Sequence, residues 1–166
     1  MEQNTTLDIL KEALLLEKRG KAFYEKVADQ ASNGDIKEFF TTMAQEEANH
    51  IRILSEQFKS FNDAGTFTWS EDEANRSAFA SAVISDELKK EIGAADFEAA
   101  AISAAMTMEQ KAIALYQGRA DNTADEKEKA LYAWLAKWEN SHLNFLVGLD
   151  KDLREQIWLD NQFWPF

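Results

Sequence analysis

The chain has 166 residues, of which 45% are apolar and 29% charged, a balance typical of a globular domain rather than a disordered segment. Its formal net charge of −12 argues against a nucleic-acid partner, because phosphate binding requires a basic surface. The absence of cysteine excludes disulfides, zinc fingers, iron–sulfur centres and thiol catalysis within this chain. No apolar run reaches the roughly 18 residues of a membrane span, and no signal peptide is recognisable, so we expect a soluble cytoplasmic protein without membrane contact.

The chain has only one proline and six glycines, so it has few residues that form turns or break helices. This composition favours long helices over a many-stranded sheet. Apolar residues recur at helical spacing in four stretches, and a short turn at 31–34 makes the first two helices antiparallel neighbours. We therefore predict an all-α fold with one domain spanning residues 1–166. Its four helices are expected at about residues 6–29, 35–62, 96–120 and 124–150.

Polar residues mark the starts of three of these helices. Thr5 and Thr6 are candidate caps of the first helix, and Asp96 is the candidate cap of the third. Thr123 and Glu126 have the spacing of a capping box, which predicts that the fourth helix begins beside them.

The segment 63–95 interrupts the helical pattern. Gly65 indicates a loop, and two short helices are expected after it, at about 71–79 and 86–92. A connection of this length lets a four-helix bundle cross from one helix pair to the next. Residues 151–166 are expected to form a short helical tail, whose aromatic side chains cover one end of the bundle or a partner subunit.

Two Glu-x-x-His motifs interrupt the apolar stripes of the second and fourth helices. Glu47 precedes His50 by three residues, Glu139 precedes His142 by the same step, and the chain has no other histidine. On a helix this spacing places both side chains on one face, one turn apart, where they can bind the same ion. The two motifs lie 92 positions apart, which indicates an internal repeat.

The repeat extends to the first and third helices. The same step of 92 positions relates Glu17 to Glu109 and Tyr24 to Tyr116. Each glutamate lies on the inward stripe of its helix, and each tyrosine follows two turns later on the same face. The tyrosine hydroxyls would steady a ligand carboxylate, or the rings would be core aromatics with a polar tip.

Four carboxylates and two imidazoles are thus expected at matching heights inside the bundle. Buried together, the carboxylates would take up protons unless positive charge compensates them. Two divalent ions would balance four negative charges, and carboxylate with imidazole suits iron or manganese better than metals that prefer thiolate. Bridging glutamates would hold the metals a few ångströms apart, so that O₂ or peroxide binds between them and takes two electrons. A single histidine of this kind would more often be a hydrogen-bonded core residue, but the six residues together indicate a metal site.

A glutamate on each of two helices and Glu-x-x-His on each of the other two is the pattern of ferritin-like di-metal carboxylate proteins. The segments LEKRGKAFYEKVA and MEQKAIALYQGRA most resemble the rubrerythrin branch of that group. The resemblance covers residues 7–150 and implies a ferritin-like four-helix bundle that binds two irons, with manganese as the alternative. The implied ligands are Glu17, Glu47, His50, Glu109, Glu139 and His142.

The resemblance implies a non-haem di-iron oxidoreductase that reduces hydrogen peroxide or O₂ in defence against oxidative stress, and it suggests a homodimer. Rubrerythrins proper carry a rubredoxin domain with Cys-x-x-Cys pairs, whereas this chain has no cysteine, so its electrons are expected from a separate donor protein. They also carry an extra glutamate one turn from the ligand of the third helix. Here Met106 and Ala112 are the one-turn neighbours of Glu109, which argues against a redox-linked shift of the iron.

Other residues near the motifs have competing explanations. Gly20 and Ala112 each lie one turn after a ligand glutamate and would leave a pocket for O₂ or peroxide, although close helix packing is the favoured explanation. Trp134 and Trp138 are one turn apart on the fourth helix, and packing is favoured over a role in electron transfer. Glu46 points about 100° away from the adjacent ligand and is expected to be solvated or to flank the site.

Four other functions use a similar set of residues. They are iron oxidation and storage in a ferritin-like cage, manganese catalase, a di-iron oxygenase acting on an organic substrate, and a helical interaction protein with a vestigial metal site.

Overall fold

The computed structural model describes residues 2–31, 34–70 and 96–160. These ranges contain four long helices and no strand, which confirms the predicted all-α fold. The helices are α1 (Glu2–Gln30), α2 (Gly34–Ala64), α3 (Asp96–Asn122) and α4 (Glu126–Asp160). None of them is both long enough and apolar enough to cross a membrane, within the part of the chain that is described.

The four helices form a bundle of two hairpins. α1 packs along α2, α3 packs along α4, and the two hairpins meet where α1 contacts α3. The short turns between the members of each pair make them antiparallel neighbours. This arrangement brings the first and third helices side by side, so the two halves of the internal repeat face each other.

The core consists of two apolar clusters, one on each side of a polar middle layer. The larger side chains of the first cluster are Tyr24, Phe39, Phe40, Met43, Ile102 and Leu146. Those of the second are Leu10, Ile53, Leu54, Phe67, Tyr116, Tyr132 and Leu135. Because apolar layers lie above and below it, the middle layer is shielded from water at both ends.

The start of α4 differs from the predicted capping box. The helix begins at Glu126, and Asp125 is its cap, because Asp125 Oδ1 accepts hydrogen bonds from the backbone N–H of Lys127 and Glu128, both at 2.9 Å. Thr123 instead accepts from the N–H of Asp125 at 3.2 Å and hydrogen-bonds to the Glu128 carboxylate. Asp125 lies closer to the helix than Thr123 does, so Asp125 and not Thr123 caps α4.

The predicted caps of α1 are also wrong. The helix already begins at Glu2, so Thr5 and Thr6 lie inside its first turns. Thr6 accepts a hydrogen bond at 2.9 Å from Arg119 Nη2, and Arg119 also makes two 2.8 Å hydrogen bonds to Glu128. Glu128 is 2% exposed, so this paired guanidinium offsets the burial of its charge and ties three helices together at one end of the bundle.

The beginning of the crossover is held against the bundle. α2 ends at Ala64, and the following Gly65 has a φ of 67° and donates its backbone N–H to the Phe61 carbonyl at 2.8 Å. The Gln57 side chain then accepts hydrogen bonds from the backbone N–H of Thr68 at 2.9 Å and of Trp69 at 3.0 Å. These bonds place Phe67 and Trp69 in the second apolar cluster.

Two predicted features lie wholly or partly outside the described residues. The short helices expected at 71–79 and 86–92 fall in the range 71–95, which is not described. Of the tail expected at 151–166, residues 151–160 are the continuation of α4, and the remainder is not described.

Candidate metal centre

The polar middle layer of the bundle contains the six side chains that the sequence singles out. α1 and α3 each supply one glutamate, and α2 and α4 each supply a glutamate and a histidine one turn apart. All six are buried, with exposed fractions of at most 4%. They are Glu17, Glu47, His50, Glu109, Glu139 and His142.

These six residues form two overlapping groups of four. One group is Glu17, Glu47, His50 and Glu139, and the other is Glu47, Glu109, Glu139 and His142. Within each group, one ligand atom per residue lies within 4.8 Å of every other, which is close enough to surround one metal ion. Only Glu47 and Glu139 belong to both groups, so these two carboxylates are in position to bridge two ions.

The histidine rings turn the same nitrogen towards the carboxylates. His50 Nδ1 lies 2.8 Å from Glu139 Oε1 and 3.3 Å from Glu17 Oε2. His142 Nδ1 lies 3.1 Å from Glu139 Oε2 and 3.8 Å from Glu109 Oε1. The two rings stack with centroids 6.2 Å apart and an interplanar angle of 27°. Each Nδ1 is therefore aimed at one of the two groups, as a metal-binding nitrogen would be.

The two tyrosines bind the glutamates across the repeat. Tyr24 of α1 donates its hydroxyl to Glu109 of α3, and Tyr116 of α3 donates to Glu17 of α1. Both phenol rings are fully buried. Each hydroxyl thus orients one carboxylate of one group, which favours the steadying of a ligand over the alternative of a core aromatic with a polar tip.

Comparison with known proteins bears directly on this arrangement. The family model described as Rubrerythrin matches residues 8–149, which is most of the chain. The chain belongs to the rubrerythrin family. No curated protein and no solved structure matched it. The carboxylate and histidine cluster fits the di-metal centre that a rubrerythrin holds, typically with iron.

In this protein the carboxyl groups compete for protons, because they are buried beside one another. Burial, together with the charges of Glu17 and Glu139, raises the pKa of Glu47 well above its usual value. Burial and the charge of Glu139 likewise raise the pKa of Glu109. Burial also disfavours the charged form of Glu17, but hydrogen bonds from Glu47 and the charge of His50 outweigh it and lower the pKa of Glu17. Protons thus remove part of the negative charge that divalent cations would balance.

The two histidines differ in their electrostatic surroundings. Burial alone would lower the pKa of His50, but the nearby charges of Glu139 and Glu17 outweigh it and raise that pKa well above its usual value. For His142, burial dominates and lowers the pKa, although the Glu109 charge opposes it. The two halves of the duplicated ligand set therefore differ in the direction in which the pKa of their histidine is shifted.

A small cavity opens beside the carboxylates. Its walls include Gly20 and Ala112 together with Glu47, Glu109 and Glu139, and its volume is about 10 Å³, room for one water-sized molecule. A Cβ added to Gly20 would lie 3.3 Å from Glu47 Cδ. The two small residues that sequence reasoning assigned to helix packing thus face the candidate centre. Met106, one turn before Glu109, packs against the first apolar cluster and supplies no further carboxylate.

Two tryptophans that sequence reasoning assigned to packing lie against a ligand histidine. The rings of Trp134 and Trp138 each lie with their centroid 5.9 Å from that of His50, at interplanar angles of 79° and 83°. Their one-turn spacing, with Trp138 directly before a ligand glutamate, was the available signal. Glu46, expected to be solvated or to flank the site, is half-buried, and its charge opposes the lowering of the His142 pKa.

Proposed function

We propose that this protein is a non-haem di-iron oxidoreductase that reduces hydrogen peroxide or O₂ with electrons from a separate donor protein. The observation that carries the proposal is the pair of four-residue groups sharing Glu47 and Glu139. Two divalent ions would match the four carboxylate charges, and each ion would have one neutral imidazole. Oxygen and nitrogen ligands in this proportion suit iron, with manganese as the alternative.

The side chains have distinct roles in this proposal. Glu47 and Glu139 would bridge the two ions, Glu17 with His50 would complete one coordination shell, and the remaining two ligands would complete the other. The bound metals would supply the electron pair that peroxide accepts. Each peroxide takes two electrons and two protons and yields two waters, so the donor must replace two electrons in every cycle.

Protons and water access are controlled by residues of the chain itself. Tyr24 and Tyr116 hold their hydroxyl protons against Glu109 and Glu17, and burial beside negative charge raises the pKa of both phenols. These hydroxyls therefore remain hydrogen-bond donors at neutral pH and keep the carboxylates oriented. The buried setting excludes bulk water from the reacting atoms.

The size of the cavity supports the proposed reaction over one of its alternatives. A space of about 10 Å³, room for one water-sized molecule, leaves no room for an organic substrate beside the carboxylates. This observation supports peroxide or O₂ reduction over an oxygenase that acts on an organic molecule.

Metal analysis combined with single-turnover kinetics tests the proposal. Purified protein should bind two iron ions per chain, and the reduced protein should consume one peroxide for every two irons oxidised. A His50→Ala/His142→Ala variant should lose both the iron and the reaction. Protein that binds no iron would refute the proposal.

Oxygen release from peroxide without a reductant would instead select manganese catalase, and many irons per chain in a large closed oligomer would select iron storage. Light scattering of the same sample also tests the predicted homodimer.

A further inference from the structure

An aromatic pair connects one ligand histidine with the protein surface. The rings of Trp134 and Trp138 have centroids 5.3 Å apart, and both are in edge contact with His50. Both tryptophans are half-buried, whereas His50 is fully buried. Each indole therefore contacts the candidate centre on one side and approaches solvent on the other.

The internal repeat does not reproduce this pair. The step of 92 positions that relates the ligands places Thr42 opposite Trp134 and Glu46 opposite Trp138. The ligand set therefore does not itself require indoles at these positions, because the other half of the bundle has a hydroxyl and a carboxylate there. The pair belongs to the His50 side of the centre alone.

A third indole supports the pair from the crossover. Trp69 packs on Trp134 with centroids 5.9 Å apart, and the two hydrogen bonds to Gln57 hold this part of the chain in place. Trp134 is thus fixed between Trp69 and His50. A ring held in this way stays close to the ligand histidine, and the rate of electron transfer depends on that distance.

Electrons for the proposed reaction must cross the protein, because the six ligands are at most 4% exposed and a donor cannot touch the metals. Aromatic rings in van der Waals contact couple electronically far better than saturated side chains or gaps. We propose that Trp134 and Trp138 are the electron port of the centre, through which a one-electron donor at the surface delivers electrons to the metal at His50. Two such transfers supply the two electrons that one peroxide accepts. This inference rests on the proposed function.

The reductive half-reaction tests the port without peroxide. Oxidised, iron-loaded protein is mixed anaerobically with the methyl viologen radical, a one-electron reductant, and reduction of the iron is followed by stopped-flow absorbance. A Trp134→Leu/Trp138→Leu variant should be reduced at least about tenfold more slowly than the wild type, with the rate expressed per bound iron. Trp134→Tyr/Trp138→Tyr, which keeps aromatic rings in place, should recover most of the wild-type rate.

A matched control removes two rings elsewhere between the same two helices. Phe39 of α2 and Phe145 of α4 contact each other with centroids 5.1 Å apart in the first apolar cluster, away from the tryptophan pair. A Phe39→Leu/Phe145→Leu variant should retain the wild-type reduction rate per bound iron. The proposed electron port would be refuted if iron reduction were slowed equally in the control. It would also be refuted if the Trp→Leu variant were reduced at the wild-type rate.

Two further measurements separate the possible outcomes. If the tryptophans only shield His50, the Trp→Leu variant will bind less iron or unfold at a lower temperature, yet each loaded site will be reduced at the wild-type rate, and the port is wrong. In the wild type, iron binding at His50 should quench tryptophan fluorescence, and the Leu variant, which keeps Trp69, should show weaker quenching. The variant could be reduced slowly while the reduced wild type fails to react with peroxide. That result would refute the proposed reaction and support the electron port.

Discussion

Replacing Gly20 with alanine probes whether Glu47 occupies a bridging position. A Cβ at this site would lie 3.3 Å from Glu47 Cδ and 3.5 Å from Glu47 Oε1, so the carboxylate would have to move by a few tenths of an ångström. The same change at Gly148, an exposed glycine inside α4, meets nothing within 4 Å. The two substitutions are alike in helix propensity and differ in their effect on the candidate ligand.

The magnitudes follow from these two effects. Gly→Ala inside a helix stabilises a protein by about 0.5–1 kcal/mol, and Gly148→Ala should show that gain in the metal-free protein. Gly20→Ala should show a smaller gain, because the contact with Glu47 offsets it. Displacing a carboxylate shared by two ions should also lower the affinity for both metals, by about tenfold or more.

Denaturant unfolding of the metal-free variants gives the stabilities, and competition titration with a chelator gives the metal affinities. Gly148→Ala is the control for both measurements. If Gly20→Ala binds two metals as tightly as the wild type, Glu47 is not held where it can bridge them, and the assignment of the shared carboxylates fails.

Three further predictions concern the same centre. Glu139→Gln should abolish binding of both metals, whereas Glu17→Gln should weaken mainly one of them, and metal analysis showing equal losses would contradict the sharing of Glu139. Tyr116→Phe should lower metal affinity about tenfold, because it frees the Glu17 carboxylate that the Tyr116 hydroxyl orients. Tyr132→Phe should leave the affinity unchanged, because the buried Tyr132 hydroxyl has no hydrogen-bond partner among the described residues. Metal binding should release protons and tighten as the pH rises, because Glu47, Glu109 and His50 have raised pKa values and must each deprotonate to bind. Calorimetry in buffers of different ionisation enthalpy counts those protons. A pH-independent affinity would contradict that protonation.

The helices followed from the sequence because helical periodicity is a local property, but their ends did not. Thr6 has the chemistry of a cap, yet it lies within α1, and its hydroxyl accepts a hydrogen bond from Arg119 of a different helix. Asp125 competes with Thr123 for the N-terminus of α4 and is the better placed of the two. A polar residue near a helix end has local and distant partners available, and local spacing alone does not decide between them.

Local sequence did specify which six residues meet inside the bundle. The three-residue spacing puts Glu139 and His142 on one helix face, and the internal repeat places an equivalent pair and two further glutamates at the same height. Buried together, so many carboxylates take up protons unless positive charge compensates them, so the residue pattern by itself is enough to predict a metal site.

Only the tertiary structure decided how those residues share their partners. The packing of α1 against α3 makes Tyr24 bind the glutamate of the other half, and the meeting of all four helices makes Glu47 and Glu139 common to both groups. It also sets Trp134 and Trp138 against His50, which breaks the symmetry that the repeat suggests. Spacing along one helix determines the face on which a side chain lies, whereas contacts between helices depend on their relative rotation and height, which the packing of the whole core determines.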